Sequence, residues 1–318
     1  MKSTNKKLVT ISALAGGTAI AIHLLNKVIT ESAVAKNILF SNETDYYKWR
    51  YGDIYYSKTG SGDPILLIHD LTPSGSSYEW IKIIDELSES HTVYTMDLLG
   101  CGRSEKPAMT YTNYLYVQLI ADFIKEVITC PTDVIATGLS TSFVITACAS
   151  DKNLFKKIML INPEQLSVLN QIPGKCSKLR KNLLELPLIG TLLYYTINSH
   201  SNIELQFTEN WLYNPFHITN YDVDAYYESS HRGKGNGRYL LSSISGNYAY
   251  LNISHALRCI DNSVYLIGGA KEKAIQETID MYSSLNSSVE SVILPKACHL
   301  PQIEIPVELM KQINIYME

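Results

Sequence analysis

Short apolar runs alternate with amphipathic stretches over most of the chain. The continuous apolar run at residues 64–68 predicts a strand buried on both faces of a parallel sheet. The 3.6-residue spacing of apolar positions over residues 114–128 predicts a helix. Similar runs predict further strands at residues 91–96, 133–137, 157–161, 264–267 and 289–294. Strands and helices that alternate in this way indicate βαβ units and a mostly parallel sheet flanked by helices.

The same pattern predicts where the main domain begins and where it is interrupted. Aromatic and polar residues alternate over residues 46–57, which predicts an edge hairpin. The alternation of strands and helices stops after Pro163 and gives way to a helical, aromatic-rich stretch before it resumes. We therefore expect a sheet domain formed by residues 45–163 and 251–318, with a helical cap inserted at residues 164–250.

An uncharged, largely apolar stretch runs through residues 8–25, and three lysines precede it. As a helix it would be about 27 Å long at roughly 1.5 Å per residue, which is close to the hydrocarbon thickness of a bilayer. The sequence therefore predicts a membrane anchor at residues 1–28 and a linker at residues 29–44. The lysines favour a cytoplasmic N-terminus, with the large domain on the extracytoplasmic side. A cleaved signal peptide and an interfacial or packed helix are the alternatives.

Composition narrows the classes of partner. The net charge of −4 and the lack of a basic cluster argue against a nucleic-acid surface. None of the six cysteines forms a CxxC pair, and their spacing fits neither a zinc site nor a small disulfide framework. We therefore expect no structural metal, and the sequence leaves the oligomeric state open.

Several polar side chains follow predicted strands, at the edge where parallel sheets place their functional groups. Ser140 lies in a Gly-Leu-Ser-Thr-Ser turn between a predicted strand and a helix, the context that holds a nucleophile at a sharp bend. His299 follows the last predicted strand and can serve as the base for Ser140. Glu272 is the preferred carboxylate for orienting His299, and Glu164 is the alternative.

Two backbone amides near the same strand ends are candidate oxyanion donors. The N–H group of Thr141 lies at the start of a predicted helix, and that of Leu71 follows the strand at residues 64–68. The candidate nucleophile, acid and base occur along the chain in the order Ser, Glu, His, each after a strand. That order predicts a nucleophilic triad with an oxyanion hole.

The spaced motifs resemble those of the α/β-hydrolase superfamily, in the branch with a helical cap. The motifs are LLIH at 66–69, DxxGxGxS at 97–104, the Ser140 turn and CHLP at 298–301. The resemblance implies an α/β-hydrolase fold, a Ser–His–acid triad, an oxyanion hole and no cofactor. The chain departs from the family pattern at Asp70 and Ser142, where glycines are usual, and at Glu272, where Asp is usual.

These observations predict a serine hydrolase that cleaves an ester or similar acyl bond of a small, largely apolar substrate through an acyl-enzyme. An aminopeptidase, a thioesterase and a C–C bond hydrolase on the same triad are the alternatives. A further alternative is a non-catalytic, hydrolase-like binding protein, which the departures at Asp70 and Glu272 favour.

Overall fold

A mostly parallel sheet organises the protein, whose structure is a computed structural model. The structure describes the backbone of residues 2–41 and 45–317, with side chains at residue 14 and from residue 16 onward. Within these residues, one sheet contains eight strands: β1 (Asp45–Trp49), β2 (Gly52–Thr59), β3 (Asp63–Ile68), β4 (His91–Met96), β5 (Thr132–Thr137), β6 (Phe155–Ile161), β7 (Ser263–Gly269) and β8 (Val289–Leu294).

The strands lie side by side in the order β1-β2-β4-β3-β5-β6-β7-β8. The β1–β2 and β2–β4 pairs are antiparallel, which makes β1 and β2 the hairpin that the alternating residues predicted. The other neighbouring pairs are parallel. Because β3 to β8 run in one direction, the residues that follow them gather at one edge of the sheet.

Helices connect the strands and cover both faces of the sheet. In the described residues they are α1 (Lys2–Val34), α2 (Ile84–Ser88), α3 (Asn113–Phe123), α4 (Ser140–Ser150), α5 (Leu166–Leu169), α6 (Lys175–Glu185), α7 (Ile189–Ile197), α8 (His200–Gln206), α9 (Asn220–His231), α10 (Gly237–Ser245), α11 (Ser254–Cys259), α12 (Ile275–Leu285), α13 (Pro301–Glu304) and α14 (Pro306–Met317). The helix predicted at residues 114–128 is α3 followed by one wider, π-type turn at Ile124–Ile128.

Each face of the sheet buries its own apolar layer, because successive side chains of a strand point to opposite faces. On β3, Leu66 and Ile68 pack in the layer that contains α3 and α4. Ile65 and Leu67 pack in the layer that contains α2 and α14. Burial on both faces explains why this strand is a continuous apolar run rather than an alternating one.

A helical segment, α5 to α11, stands between β6 and β7 in place of a single crossover helix. Aromatic residues from this segment pack on one another: the ring of Phe207 lies 4.8 Å from that of Tyr226, and Trp211 lies 5.5 Å from Tyr226. The helices coincide with the stretch predicted as a cap. The domain boundaries at residues 163–164 and 250–251 stay predictions.

The N-terminal helix requires a correction of the predicted membrane anchor. Residues 1–13 and 15 of that anchor lie outside the residues whose side chains the structure describes. In the described portion, no helix combines the length and the apolarity that a bilayer crossing requires. The predicted anchor, and the extracytoplasmic placement that depended on it, are therefore not supported.

The second half of α1 instead makes polar contacts with the cap. The Asn26 side chain donates a hydrogen bond from Nδ2 to the Leu188 carbonyl at 3.2 Å. The hydroxyls of Thr30 and Tyr195 lie 2.5 Å apart. Helix α1 continues to Val34, so the first residues assigned to the linker at 29–44 are helical, and residues 42–44 lie outside the described chain.

Candidate active site

The turn between β5 and α4 bends at Gly138, which has a φ of +53°. This left-handed conformation strains residues that carry a Cβ atom. A Cβ atom added at Gly138 would lie 2.2 Å from the Oδ1 atom of Asp70. The position at the apex of the bend therefore has no side chain, and the Asp70 carboxylate occupies the space that one would fill.

Ser140 is the first residue of α4, two positions after the bend, and is fully buried. Its hydroxyl donates a hydrogen bond to the His69 carbonyl at the end of β3, at 2.7 Å. Among the hydrogen bonds of the described residues, none joins Ser140 to His299. The apex of the bend falls at Gly138, and the Ser140 side chain is directed towards β3. The pairing of Ser140 with His299 stays a prediction.

His299 and Glu272, the predicted base and its preferred acid, lie in contact, and their catalytic roles stay predictions. His299 lies in the loop after β8, and Glu272 lies in the loop after β7. The Nδ1 atom of His299 is 2.9 Å from Oε2 of Glu272. A proton on Nδ1 donated to this carboxylate leaves Nε2 as the atom that exchanges protons with the rest of the site. Glu164 makes no hydrogen bond to His299 within the described structure.

Asp70 is the third member of this polar chain, and sequence reasoning assigned it no catalytic role. Its Oδ2 atom lies 3.4 Å from Nε2 of His299. Its Oδ1 atom accepts a hydrogen bond from the backbone N–H of Leu139 at 2.8 Å. The Asp70 carboxylate thus links the amide that follows the bend to the imidazole. The side chains of Asp70 and His299 remain 14% and 17% exposed, so neither is sealed in the core.

The two carboxylates determine the protonation of His299. Burial opposes its positive charge, but the hydrogen bonds and the charges of Asp70 and Glu272 outweigh burial and raise the pKa of His299 well above its ordinary value. The resting site therefore holds an imidazolium between two carboxylates at neutral pH.

Only one of the two predicted oxyanion donors keeps a free N–H. The N–H of Thr141 donates to the Gly138 carbonyl at 3.3 Å, as in an ordinary helical turn. The N–H of Leu71 has no acceptor among the described residues, and Leu71 is buried directly after Asp70. The amide that holds a carboxylate oxygen is that of Leu139. Leu139 and Leu71 are thus the amides placed to bind a negative oxygen, and the use of Thr141 is not favoured by this geometry.

Two further carboxyl groups surround the site. Burial and then the charge of Asp70 raise the pKa of Glu79 to about 7, and the same two causes raise the pKa of Glu164 to about 7. Glu79 accepts hydrogen bonds from Thr137 and Gln302, both at 2.6 Å, and more weakly from the N–H of Asp70 at 3.3 Å. Glu79 therefore supports the loop that carries Asp70.

A buried ion pair fixes the neighbouring loop. Asp97 follows β4, and its Oδ2 atom accepts hydrogen bonds from the backbone N–H and Nε of Arg103 at 2.7 and 2.8 Å. Its Oδ1 atom accepts from the Ser77 N–H at 2.7 Å. Burial raises the pKa of Asp97, but Arg103 outweighs burial and holds it well below the ordinary value. The DxxGxGxS motif thus has a structural role beside the site.

The cap contributes one unpaired polar group. The phenol oxygen of Tyr226 on α9 is buried and has no hydrogen-bond partner. Burial raises the pKa of Tyr226 well above its ordinary value, and the charges of Glu79 and Asp70 add to this effect. The phenol is therefore protonated. Across the described residues, no group of three or more His, Cys, Asp or Glu side chains could hold a metal ion.

Several curated proteins share segments with this chain. The 2-hydroxy-6-oxo-6-(2'-aminophenyl)hexa-2,4-dienoic acid hydrolase of Metapseudomonas resinovorans is 35% identical over 71 residues, which are 22% of this chain and 24% of that protein. The soluble epoxide hydrolase of Corynebacterium sp. (strain C12) is 28% identical over 121 residues, 38% of this chain and 39% of that protein. The matched segments thus span about a quarter to two fifths of the length of these relatives.

Solved structures and the family match extend the likeness over most of the chain. The epoxide hydrolase CorEH superposes with a TM-score of 0.70 and 18% identity, over 86% of this chain and 98% of that one. A serine hydrolase involved in carbazole degradation, CarC, superposes with a TM-score of 0.69 and 15% identity, over 86% and 98%. At these identities the superpositions show a shared fold. Residues 63–306, more than half of the sequence, match the family described as alpha/beta hydrolase fold. This protein is therefore a member of the alpha/beta hydrolase family.

Proposed function

We propose that the protein is a hydrolase in which His299, oriented by Glu272, is the base, and that its substrates are small and largely apolar. The observation that carries the proposal is the 2.9 Å contact between Nδ1 of His299 and Oε2 of Glu272. This contact sets the ring so that Nε2 faces Asp70, whose Oδ1 atom accepts the N–H of Leu139.

The bond that is cleaved depends on the nucleophile. Hydrolysis of an ester through Ser140 requires its hydroxyl to leave the His69 carbonyl and turn towards His299. Loss of that hydrogen bond costs about 1 kcal/mol, which is small beside a catalytic barrier. Ester cleavage through Ser140 is therefore retained as a candidate, alongside the C–C bond and epoxide hydrolysis named for the curated relatives.

A non-catalytic binding protein is the second candidate, and one specific observation favours it. The carboxylate of Asp70 accepts the hydrogen bond of the Leu139 N–H and pairs with the positive charge of His299. A site closed in this way can bind a small molecule without turning it over.

A substrate panel with matched variants tests the hydrolase proposal. The panel contains aryl esters, acyl thioesters, aminoacyl amides, epoxides and alkyl halides. We expect turnover of at least one class, and a loss of roughly 10²–10⁴-fold in kcat for His299→Asn, the usual contribution of a general base. Glu272→Gln should lower kcat more than Glu164→Gln, because Glu272 contacts His299. A larger loss with Glu164→Gln would contradict the assignment of the acid.

A fluorophosphonate probe separates the remaining outcomes. Labelling of the wild type but not of Ser140→Ala would support an acyl-enzyme at Ser140. Turnover without labelling points to a nucleophile other than a serine. No turnover of any class, combined with ligand-induced thermal stabilisation, would contradict the hydrolase proposal and favour the binding protein.

A further inference from the structure

We propose that Asp70 is the nucleophile of this hydrolase and that it attacks a saturated carbon atom bearing a leaving group. This inference rests on the proposed function, because it uses His299 as the base. It differs from the predicted triad in both the residue and the strand: the nucleophile comes from the loop after β3, and the apex of the β5–α4 bend is Gly138.

The position of the Asp70 carboxylate supports the proposal. Its Oδ1 atom lies 2.2 Å from where a Cβ atom of residue 138 would stand, so the carboxylate occupies the space of a side chain at the bend. The N–H of Leu139 holds Oδ1 at 2.8 Å, and Oδ2 faces Nε2 of His299 at 3.4 Å. One oxygen is thus anchored, and the other is more loosely held and available to attack.

Positive groups lie on two sides of this carboxylate. Asp70 lies at the N-terminal end of α4, an eleven-residue helix whose first amides present partial positive charge. The imidazolium of His299 supplies a full positive charge on the other side. The Asp70 side chain is 14% exposed, so the carboxylate is not sealed from solvent.

The chemistry of a carboxylate nucleophile determines the substrate class. Attack on an ester carbonyl would give a mixed anhydride, which is more reactive than the substrate. Attack on a saturated carbon gives an ordinary ester of Asp70, which a base and an N–H donor can hydrolyse. Small alkyl halides and epoxides have such a carbon. The soluble epoxide hydrolase among the curated relatives acts on the second class, as its name states.

In the first step, Oδ2 of Asp70 forms a bond to the substrate carbon. A halide leaves with the bonding electron pair and needs no proton. With an epoxide, the opened oxygen leaves as an alkoxide and takes a proton from the imidazolium of His299, whose Nε2 atom lies 3.4 Å from Oδ2 of Asp70. Formation of the ester removes the negative charge of Asp70. One of the two carboxylates that raise the pKa of His299 is then lost, so after attack on a halide the imidazolium releases its proton to solvent. His299 is neutral in both cases.

In the second step, neutral His299 takes a proton from water while the hydroxide adds to the ester carbon of Asp70. The negative charge develops on Oδ1, which the N–H of Leu139 already holds. The carbon–oxygen bond to the product then breaks, and the product oxygen takes the proton from His299. The carboxylic acid of Asp70 returns a proton to His299, which restores the carboxylate–imidazolium pair. Overall, an alkyl halide and water give an alcohol, a halide ion and a proton. An epoxide and water give a diol.

The experiment traps the ester. The full-length His299→Gln variant is incubated with 1-bromobutane or styrene oxide and measured by intact-protein mass spectrometry, followed by peptide mapping. We expect one adduct per chain on the peptide that contains Asp70, because the ester forms but is not hydrolysed. A single turnover of the wild type in ¹⁸O-water should place ¹⁸O in the same peptide, since water attacks the Asp70 carbonyl carbon.

Matched variants decide the outcome. In the His299→Gln background, Asp70→Asn should abolish the adduct, while Asp63→Asn, at an exposed carboxylate that begins the preceding strand β3, should retain it. Circular dichroism and thermal unfolding establish that each variant is folded. Loss of the adduct with Ser140→Ala but not with Asp70→Asn would overturn the proposal. No adduct and no ¹⁸O, in a protein that still hydrolyses esters, would overturn it while leaving the hydrolase proposal intact. No turnover of any substrate would contradict both.

Discussion

The carboxylate of Asp70 and the missing side chain of Gly138 compete for the same space. A Cβ atom at residue 138 would lie 2.2 Å from Oδ1 and 2.4 Å from Cγ of Asp70. Atoms that are not bonded do not approach this closely in a packed protein. The glycine at the bend and the aspartate in the neighbouring loop are therefore coupled, since a side chain at residue 138 requires a smaller residue at position 70.

This coupling predicts the result of an exchange of the two positions. We expect the double variant Asp70→Gly with Gly138→Ser to gain fluorophosphonate labelling at residue 138 and hydrolysis of aryl esters. The added hydroxyl would stand at the apex of the bend, the Leu139 amide would be free, and His299 would lose one of the charges that hold it protonated. Active-site labelling and aryl-ester turnover are the measurements.

The single variants provide the control for the exchange. Gly138→Ser alone should be less stable than the wild type and unlabelled, because the new side chain meets Asp70. Asp70→Gly alone should fold but lack a nucleophile at the bend. A well-folded Gly138→Ser protein that reacts with the probe as strongly as the double variant would show that the two residues do not exclude each other.

The buried ion pair of Asp97 and Arg103 predicts a large effect on stability. Asp97→Asn should lower the free energy of unfolding by about 3–5 kcal/mol, because it leaves the Arg103 guanidinium, 11% exposed and 3.6 Å from the Tyr55 ring, without its counter-charge. Urea unfolding measures the change. Asp261→Asn, which breaks the exposed pair with Lys152, should change stability by about 0–1 kcal/mol. Equal losses in the two variants would contradict a special role for burial.

The sheet was predictable from sequence because its central strands are buried on both faces. Runs such as residues 64–68 are apolar throughout, and few other local structures place five successive apolar residues in a core. The segment between β6 and β7 was recognisable for the opposite reason, since the alternation stops there. The contacts of α1 were not predictable, because the apolar length of a segment does not reveal the carbonyl and hydroxyl groups that its later polar residues meet.

The site was predictable only in part, and the reason lies in the residues at 136–140. A bend of this kind needs small residues two positions before and after its apex. Gly138 and Ser142 meet this for an apex at Ser140, and Ala136 and Ser140 meet it equally for an apex at Gly138. The positive φ that distinguishes the apex favours glycine, and this was the available signal. The link between Asp70 and Gly138 joins two loops 68 positions apart in the chain, and no local pattern encodes it.

The buried carboxyl of Glu79 predicts how stability depends on pH. Burial and the charge of Asp70 raise its folded pKa to about 7, above the ordinary value of 4.5. A raised carboxyl pKa stabilises the fold fully below pH 4.5, and this contribution is lost as the pH rises through 7. We expect the free energy of unfolding to fall by about 3 kcal/mol from this group between pH 5 and 8. Urea unfolding across this range is the measurement.

Glu79→Gln isolates the contribution of this carboxyl from those of Glu164 and His299, whose raised pKa values act in the same direction. The variant should show a shallower decline in stability than the wild type between pH 5 and 8. Glu86→Gln, an exposed position on α2, should leave the slope unchanged. A wild-type slope in Glu79→Gln would indicate that Glu79 is ionised throughout this range.

The contact between α1 and the cap predicts a small, local loss of stability on mutation. Asn26 is 7% exposed and donates from Nδ2 to the Leu188 carbonyl, so Asn26→Ala removes a hydrogen bond between α1 and the cap, while that carbonyl keeps the N–H of Leu192 as a donor. We expect a loss of about 1 kcal/mol and a decrease in Tm of about 2 °C. Lys27→Ala is the matched control, since Lys27 is exposed and makes only a 3.8 Å ion pair with Glu31 on the same helix. Equal Tm values for the two variants would mean that α1 does not pack on the cap through Asn26. A decrease confined to Asn26→Ala would show that the polar half of α1 is part of the folded unit.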